Sequence, residues 1–130
     1  GARELNIIPP IIIGVTVLTS LSKVEFQTDL NIHESIEEYV FKLARVCYDS
    51  GLDGCVCSPW EVRKLRRFFP NAFKLVTPGI RLENTKDDQN RVMTPIDALT
   101  NGANQLVIGR SITKSKDPQK IFSEICKSIA

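Results

Sequence analysis

The sequence predicts an α/β fold in which four short β-strands alternate with helices and form a parallel sheet. Short runs of aliphatic and β-branched residues alternate with longer amphipathic segments, which is the expected periodicity of strands and helices. The amphipathic segments begin with residues that cap helices, and glycine ends two of them. Because neighbouring parallel strands need a covering connection between them, this alternation favours a parallel sheet over an antiparallel one.

The composition indicates one folded domain and excludes two classes of partner. Hydrophobic residues make up 42% of the 130 residues and charged residues 25%, as in globular chains. A formal net charge of +2 is too small for a nucleic-acid-binding surface, and aromatic residues do not interleave with basic ones. The longest apolar stretch, residues 7–18, contains Pro9 and Pro10 and is too short for a bilayer span. We therefore expect no nucleic-acid partner and no membrane.

The first unit is predicted to be a buried strand followed by an amphipathic helix. Residues 11–18 are rich in β-branched side chains and carry no charge, which is typical of a parallel strand buried on both faces. After a polar connection, Asn31 and Glu34 have the spacing of a capping box, so a helix is expected over residues 34–50, with Gly51 as its stop.

The second unit has the clearest helix start in the chain. A strand is predicted over residues 54–57, and Ser58-Pro-Trp-Glu61 then combines a capping serine, a proline at the first helical position and a glutamate three residues on. Trp60 is expected to pack in this turn rather than contact a ligand. The inward residues are predicted to be Val62, Leu65 and Phe69, and the solvated face Arg63, Lys64, Arg66 and Arg67.

The third and fourth units carry two similar strand ends. The third strand is predicted over residues 73–77, followed by a polar loop over 78–93 and a short helix from Thr94 to Gly102. The fourth strand is predicted over residues 105–109, and the last helix starts at Pro118 with Asp117 as its cap. The loop is long and almost without apolar residues, which is typical of a functional or a solvated loop.

Leu75-Val-Thr-Pro-Gly-Ile-Arg81 and Leu106-Val-Ile-Gly-Arg110 each run from a strand into glycine and arginine. Glycine allows a ligand to approach the backbone, and arginine offers a planar fork of N–H donors that suits a phosphate. Because parallel sheets place their ligands beyond the carboxyl ends of the strands, both segments are predicted to bind one phosphate. The other interpretation of each segment alone is a strand end followed by a surface arginine.

Four strand–helix units in 130 residues are half of an eight-unit barrel, which takes about 250 residues. An open four-stranded sheet would expose unpaired backbone groups at both edges. The predicted fold class is therefore the (β/α)8 TIM-barrel family, with residues 1–130 as the C-terminal half of a single barrel domain and the N-terminal half absent from the chain.

The four cysteines, Cys47, Cys55, Cys57 and Cys126, have no CxxC spacing and no nearby histidine that suits a metal. We expect reduced core thiols in a cytoplasmic protein, without a metal site or a disulfide. The only histidine, His33, has no identifiable carboxylate partner and is given no catalytic role.

Several motifs, taken in order, resemble the bacterial type of the orotidine 5′-phosphate decarboxylase family. They are Val15-Thr-Val-Leu-Thr-Ser20, Gly51-Leu-Asp-Gly54, Val56-Cys-Ser58, the Leu75–Arg81 segment, Gln89 with Arg91-Val-Met-Thr-Pro95, and Val107-Ile-Gly-Arg110. The resemblance implies a homodimeric (β/α)8 barrel without a cofactor, which removes CO2 from orotidine 5′-monophosphate to give UMP in de novo pyrimidine biosynthesis.

The resemblance also implies roles for particular residues. Thr19 matches a residue that contacts the pyrimidine, and Pro78 and Arg81 match the substrate-facing end of the next-to-last strand. Gln89 matches a loop residue that closes onto the phosphate. Gly109 and Arg110 match the final phosphate-binding turn. The predicted substrate-binding residues are therefore Thr19, Pro78, Arg81, Gln89, Gly109 and Arg110.

The family's D-x-K-x-x-D motif, which holds its catalytic lysine, has no counterpart in this sequence. No catalytic residue is therefore expected within the chain, and the isolated 130 residues are expected to be inactive. Two other interpretations stay open: another phosphate-sugar barrel enzyme, related to hexulose-phosphate synthase or ribulose-phosphate epimerase, and a non-catalytic half-barrel that binds phosphate.

Overall fold

The computed structural model describes residues 1–2, 4–82 and 92–130, and these form one parallel sheet with helices. Four strands lie in the order β1-β2-β3-β4, so each strand pairs with the one before it in the chain. All three pairings are parallel. This confirms the predicted α/β class and the four strand–helix units. The strands are β1 (Ile13–Val15), β2 (Gly54–Val56), β3 (Lys74–Thr77) and β4 (Gln105–Leu106).

Among the described residues, six helices connect and follow these strands: α1 (Lys23–Thr28), α2 (Ile36–Asp49), α3 (Pro59–Leu65), α4 (Pro95–Thr100), α5 (Arg110–Thr113) and α6 (Pro118–Ser128). The main core lies between the sheet and the helices. Cys55 and Leu75 are neighbours in register on this face of the sheet and are fully buried. Val40 and Ala44 of α2 and Val62 of α3 belong to the same cluster. The burial of Val62, Leu65 and Phe69 is as predicted.

Three of the predicted helix starts are confirmed by their hydrogen bonds. The Ser58 backbone N–H donates to the Glu61 carboxylate over 2.7 Å, and Pro59 occupies the first turn of α3. The Thr94 hydroxyl accepts from the Asp97 backbone N–H, and the Asp117 carboxylate accepts from that of Lys120. The Ser58 hydroxyl likewise accepts from the Trp60 backbone N–H over 3.3 Å, so at all three starts the capping side chain satisfies a backbone donor that the helix itself leaves unpaired.

The predicted cap of α2 is wrong by one turn. Ser35 and Glu38 form the capping box, with the Ser35 hydroxyl accepting from the Glu38 backbone N–H over 3.2 Å. Asn31 instead has a φ of 53°, in the left-handed region, and Glu34 forms an ion pair with Lys42. Two consecutive capping-box patterns exist in this stretch, at residues 31–34 and 35–38, and the helix uses the second, which is next to its first apolar residue, Ile36.

Helix α1 lies in the stretch that the sequence predicts to be only a polar connection. It begins with its own capping box, formed by Ser22 and Glu25, and it buries Phe26, which is 0% exposed. Phe26 packs edge-on against Tyr39 of α2, with ring centroids 5.6 Å apart. One buried aromatic residue is too weak a periodic signal to predict a helix of this length.

The prediction that residues 11–18 form a strand buried on both faces is wrong for the described structure. Ile11, Ile12, Val15 and Leu18 are all exposed, and β1 itself covers only Ile13–Val15. Among the described residues, β1 pairs only with β2 and is an edge strand of the sheet. The composition of this segment is that of a buried strand, but the described chain provides cover on one side only.

Arg66 is not part of a solvated helix face, which corrects the interpretation of the basic cluster. Its guanidinium donates to the carbonyl oxygens of Gly102 and Phe73, whereas Arg63 and Arg67 are exposed as predicted. Burial holds the pKa of the Arg66 guanidinium below its usual value. α3 ends at Leu65, so Arg66 lies on the turn where the chain leaves the helix and faces inward.

All four cysteines are free, and Cys55 and Cys57 are buried. A hydrogen bond with Cys55, together with burial, raises the pKa of the Cys57 thiol, and burial raises that of Cys47. Cys126 is exposed, so the prediction of a core thiol is wrong there. It directly follows the buried Ile125 on α6, and neighbouring helical positions face different sides.

Candidate functional site

A cleft of about 250 Å³ opens beyond the carboxyl ends of β3 and β4, at the same edge of the sheet as the turn that follows β1. We call it the strand-end cleft. Its lining comes from these three turns and the start of α5: Thr19, Pro78, Gly79, Ile80, Arg81, Val107, Gly109, Arg110 and Ser111. Parallel α/β folds bind their ligands at this edge.

Five of the six predicted substrate-binding residues line this one cleft, although they are far apart in the chain. They are Thr19, Pro78, Arg81, Gly109 and Arg110. The sixth, Gln89, lies outside the described residues, as does the part of the 78–93 loop predicted to close onto the phosphate. The fold therefore brings together all of the predicted site residues that lie within the described part of the chain.

On the β3 side, the backbone turns sharply and is held in place by the far end of the same loop. Pro78 ends the strand because it has no N–H to donate to the ladder. Gly79 has a φ of 79°, which favours glycine, and Ile80 is buried. The Arg81 backbone N–H donates to the Met93 carbonyl over 3.1 Å, and the Met93 N–H donates to the Gly79 carbonyl over 3.2 Å.

On the β4 side, Gly109 is the N-terminal cap of α5 and has no capping side chain. A Cβ built at Gly109 meets no heavy atom of the described residues within 4 Å, so the space beside this backbone is open to a ligand. Arg110 and Ser111 form the first turn of α5 and line the cleft. The first N–H groups of a helix have no acceptor within the helix, so an anion at this position can accept from them.

Thr19 reaches the cleft from the turn that follows β1. The Thr16 hydroxyl donates to the Val56 carbonyl over 2.7 Å, which fixes the start of this turn to β2. The Leu21 N–H donates to the Leu18 carbonyl and closes the turn around Thr19. Thr19 thus lines the same cleft as Arg81 and Arg110.

The charge of the cleft favours an anion. Arg81 is half-buried and Arg110 is exposed, and the described residues that line the cleft include no carboxylate. The Arg110 guanidinium beside the first backbone N–H groups of α5 suits the geometry and charge of a phosphate dianion.

Two other cavities lie away from the strand ends. One, of about 400 Å³, has Phe41 and Phe68 among its lining, with Glu34, Glu38, Lys42 and Lys64 beside them. The other, of about 350 Å³, lies beside Trp60, whose indole N–H donates to the Val92 carbonyl over 3.3 Å while 61% of the residue is exposed. Both are surface grooves between helices or beside a loop, so neither gathers groups from several strands.

Within the described ranges, no three His, Cys, Asp or Glu side chains come together in a way that could hold a metal ion. His33 is exposed near the start of α2. No helix in the described parts of the chain is long and apolar enough to cross a membrane.

Ser111 is a cleft residue that the sequence reasoning did not find. Helix α5, which carries it, is only four residues long, and no amphipathic period predicts so short a helix. The available signal was the glycine at the end of a strand followed by polar residues, which favours a helix start.

The chain matches the family model described as orotidine 5′-phosphate decarboxylase / HUMPS family over residues 1–125. It is 58% identical over 130 residues to the orotidine 5′-phosphate decarboxylase of Prochlorococcus marinus strain MIT 9515, covering 99% of this chain and 54% of that protein. The enzyme of the same name from strain MIT 9211 is 49% identical over the same share of each chain.

Solved structures show the same relationship. The crystal structure of orotidine 5′-phosphate decarboxylase from Lactobacillus acidophilus superposes with a TM-score of 0.77 at 36% identity, covering 92% of this chain and 49% of that one. An uncharacterized conserved protein from Geobacillus kaustophilus gives a TM-score of 0.73 at 29% identity, covering 95% of this chain and 50% of that one.

The likeness to a solved orotidine 5′-phosphate decarboxylase confirms the predicted fold class, the (β/α)8 barrel family. The chain spans about half the length of the relatives that it matches. The family model covers nearly all of its residues, including both strand ends that line the cleft. The chain therefore belongs to the orotidine 5′-phosphate decarboxylase / HUMPS family.

Proposed function

We propose that this chain supplies the phosphate- and pyrimidine-binding part of an enzyme that decarboxylates orotidine 5′-monophosphate to UMP. The observation that carries the proposal is the convergence of Thr19, Pro78, Arg81, Gly109 and Arg110 on one cleft at the carboxyl edge of a parallel sheet. The names of the relatives support the same reaction over the other phosphate-sugar activities of the fold.

Each part of the cleft has a role in this proposal. The phosphate lies against Gly109 and the first turn of α5, with the Arg110 guanidinium as its counter-charge. Arg81 and Pro78 line the substrate from the β3 side, and the Thr19 hydroxyl meets the pyrimidine edge. Gln89 closes onto the phosphate from the loop that β3 leads into.

The chemical step needs groups beyond this cleft. The C–C bond to the carboxylate breaks, CO2 leaves, and the electron pair stays on the pyrimidine carbon until that carbon takes a proton. A neighbouring cation and proton donor must stabilise this carbanion. We assign that part to the N-terminal half of the barrel, so residues 1–130 are the C-terminal half of one domain. The described cleft contributes by binding the phosphate, which does not itself react. The free energy of this binding lowers the activation barrier of the decarboxylation.

The remaining features of the proposal come from the family resemblance. The complete barrel acts as a homodimer in the cytoplasm, in the synthesis of pyrimidine nucleotides. Free thiols at all four cysteines are compatible with a reducing compartment.

The test is an assay of the protein as its gene encodes it, with orotidine 5′-monophosphate as substrate and UMP and CO2 as measured products. Orotidine without its phosphate is the matched control and should react far more slowly, because it cannot use the cleft. Release of CO2 at equal rates from both would remove the phosphate role. Turnover of a hexulose or ribulose phosphate with no UMP formed would favour the other phosphate-sugar enzymes instead. UMP binding without CO2 release would favour a non-catalytic module.

A further inference from the structure

Within the described residues, the hydrogen bonds of the Arg66 guanidinium all go to neutral oxygen atoms. Its Nε and one terminal nitrogen donate to the Gly102 carbonyl over 3.1 and 2.9 Å. The other terminal nitrogen donates to the carbonyls of Pro70 and Phe73 over 2.8 and 3.1 Å. The last bond, 2.6 Å long, goes to the side-chain oxygen of Asn104. Every N–H of the guanidinium is therefore used.

Asn104 connects Arg66 to β3 by hydrogen bonds. Its side-chain oxygen accepts from the Leu75 backbone N–H over 2.8 Å as well as from Arg66. Its own backbone N–H donates to the Leu75 carbonyl over 2.9 Å. Asn104 thus occupies both backbone groups of one β3 residue, directly before β4 begins at Gln105.

In the described part of the chain, strand β4 makes few backbone pairings that could set its register. It pairs with β3 at two positions, Val76 with Gln105 and Thr77 with Leu106, and one further bond joins the Val107 N–H to the Thr77 carbonyl. A slip by one residue would reverse which side chains face the core and would move the turn after β4 relative to the turn after β3. Those two turns carry the two arginines of the strand-end cleft.

Gly102 is adapted to this contact. Its φ of 105° is a conformation that other residues rarely adopt, and a Cβ there would lie 3.1 Å from the Arg66 Cγ. The backbone thus turns its carbonyl onto the guanidinium at a residue where only glycine fits without strain.

We propose that Arg66 and Asn104 are positioning residues for phosphate binding, because they set the register of β4 against β3 and thereby the spacing between the Arg81 and Arg110 turns. The inference rests on the proposed phosphate site, and it gives residues outside the cleft a role in phosphate binding. Neither residue lines the cleft.

The test compares Arg66→Lys with Arg67→Lys in the protein as its gene encodes it. Lysine keeps the charge but has three donors on one nitrogen, so it cannot replace the five hydrogen bonds of the planar guanidinium, and the exposed Arg67 is the matched control. We expect Arg66→Lys to weaken UMP binding about ten-fold, equivalent to about 1.4 kcal/mol. Binding of uridine, which has no phosphate, should be unchanged, and so should both ligands in Arg67→Lys.

Kinetics separate positioning from a general loss of folded protein. A shifted phosphate turn raises the KM for orotidine 5′-monophosphate, whereas a smaller folded fraction lowers the apparent kcat and leaves KM unchanged. If Arg66→Lys does not fold, Asn104→Ala is used in its place. We then expect the same result, weaker UMP binding and unchanged uridine binding. Asn104→Asp keeps the acceptor oxygen and should bind UMP as the unmodified protein does.

Equal losses of UMP and uridine affinity, or a fall in kcat at constant KM, would overturn the inference. So would an unmodified protein that binds neither inorganic phosphate nor UMP. An unmodified protein that binds UMP but releases no CO2 contradicts the proposed decarboxylation alone, and the register inference is then decided by the UMP and uridine affinities.

Discussion

At the scale of single residues, two arginines show how differently the fold uses the same side chain. Arg110 is exposed at the start of α5 and lines a cleft without carboxylates among its described residues. The N–H groups of the Arg66 guanidinium all donate hydrogen bonds to backbone carbonyls or to one side-chain amide oxygen. In the sequence both arginines follow an apolar residue or a glycine at the end of an element, so no local pattern separates a ligand-binding arginine from a structural one.

Arg110→Ala should weaken binding of phosphorylated ligands about ten- to a hundred-fold, the effect of losing one charge-assisted bond of about 1.5–3 kcal/mol. Titration of UMP and of uridine against the variant measures this directly, and uridine affinity should stay nearly constant. Lys116→Ala removes a charge from an exposed residue outside the cleft and serves as the control. Parallel losses for UMP and uridine would remove Arg110 from the phosphate site.

At the scale of elements, capping boxes decide where several of the helices start. Ser22 with Glu25, Ser35 with Glu38, and Ser58 with Glu61 each satisfy backbone donors in both directions. Side-chain and backbone hydrogen bonds from Ser35 lower the pKa of the Glu38 carboxyl, and the same contacts from Ser22 lower that of Glu25. The ionised carboxylates are therefore the form that the folded helices prefer.

Glu38→Gln should remove part of the acid sensitivity of folding. A carboxyl whose pKa is lower in the folded state stabilises that state above its unfolded pKa of about 4.3, and this stabilisation is lost as the pH falls through the folded value. Thermal midpoints measured between neutral pH and about pH 3 should show the variant less stable than the unmodified chain at neutral pH and equal to it in acid. Glu37→Gln removes a charge from the same turn without touching the capping box. A constant difference between Glu38→Gln and the unmodified chain at every pH would contradict the role of ionisation.

At the scale of the whole molecule, the sheet is covered on one face and ends at two strands with unpaired edges among the described residues. Ile11, Ile12 and Val15 are 65%, 58% and 60% exposed along the β1 side. Contiguous exposed apolar residues beside an unpaired strand edge favour association with other chains. This exposure agrees with the proposal that the chain is half of a barrel.

Residues 1–130 expressed alone should bind a dye that fluoresces on apolar surfaces and should associate in size-exclusion chromatography. Co-expression with the part of a relative's chain that these residues do not match should reduce both, because the apolar β1 side is then covered. Val15→Thr in the isolated chain keeps the branched shape of the strand residue and should lower dye binding by itself. A monomeric isolated chain without dye binding would show that this surface is stable in water and would contradict the half-barrel.

Much of the architecture could be predicted because its signals are local. Ser58-Pro-Trp-Glu61, Thr94-Pro95 and Asp117-Pro118 mark helix starts through contacts within one turn, and the structure has helices at all three. The α2 cap could not be chosen, because two capping boxes compete within a few residues. The short α1 and α5 were missed because α1 buries a single residue, Phe26, and α5 has four residues and buries none, so neither has a periodic apolar pattern.

Residue type and spacing are enough to predict the parallel order of strands and helices, the glycine and arginine at the two strand ends, and the family resemblance. The sequence also predicts that the Arg81 and Arg110 segments meet at one phosphate, and the tertiary structure adds Thr19 to the same cleft, because parallel strands bring distant segments to one edge. The structure alone reveals that the Arg66 guanidinium is bonded within the fold and that Val15 of β1 and the nearby Ile11, Ile12 and Leu18 are exposed. Those outcomes depend on which surfaces the rest of the chain covers, and burial of a side chain is a property of the assembled fold.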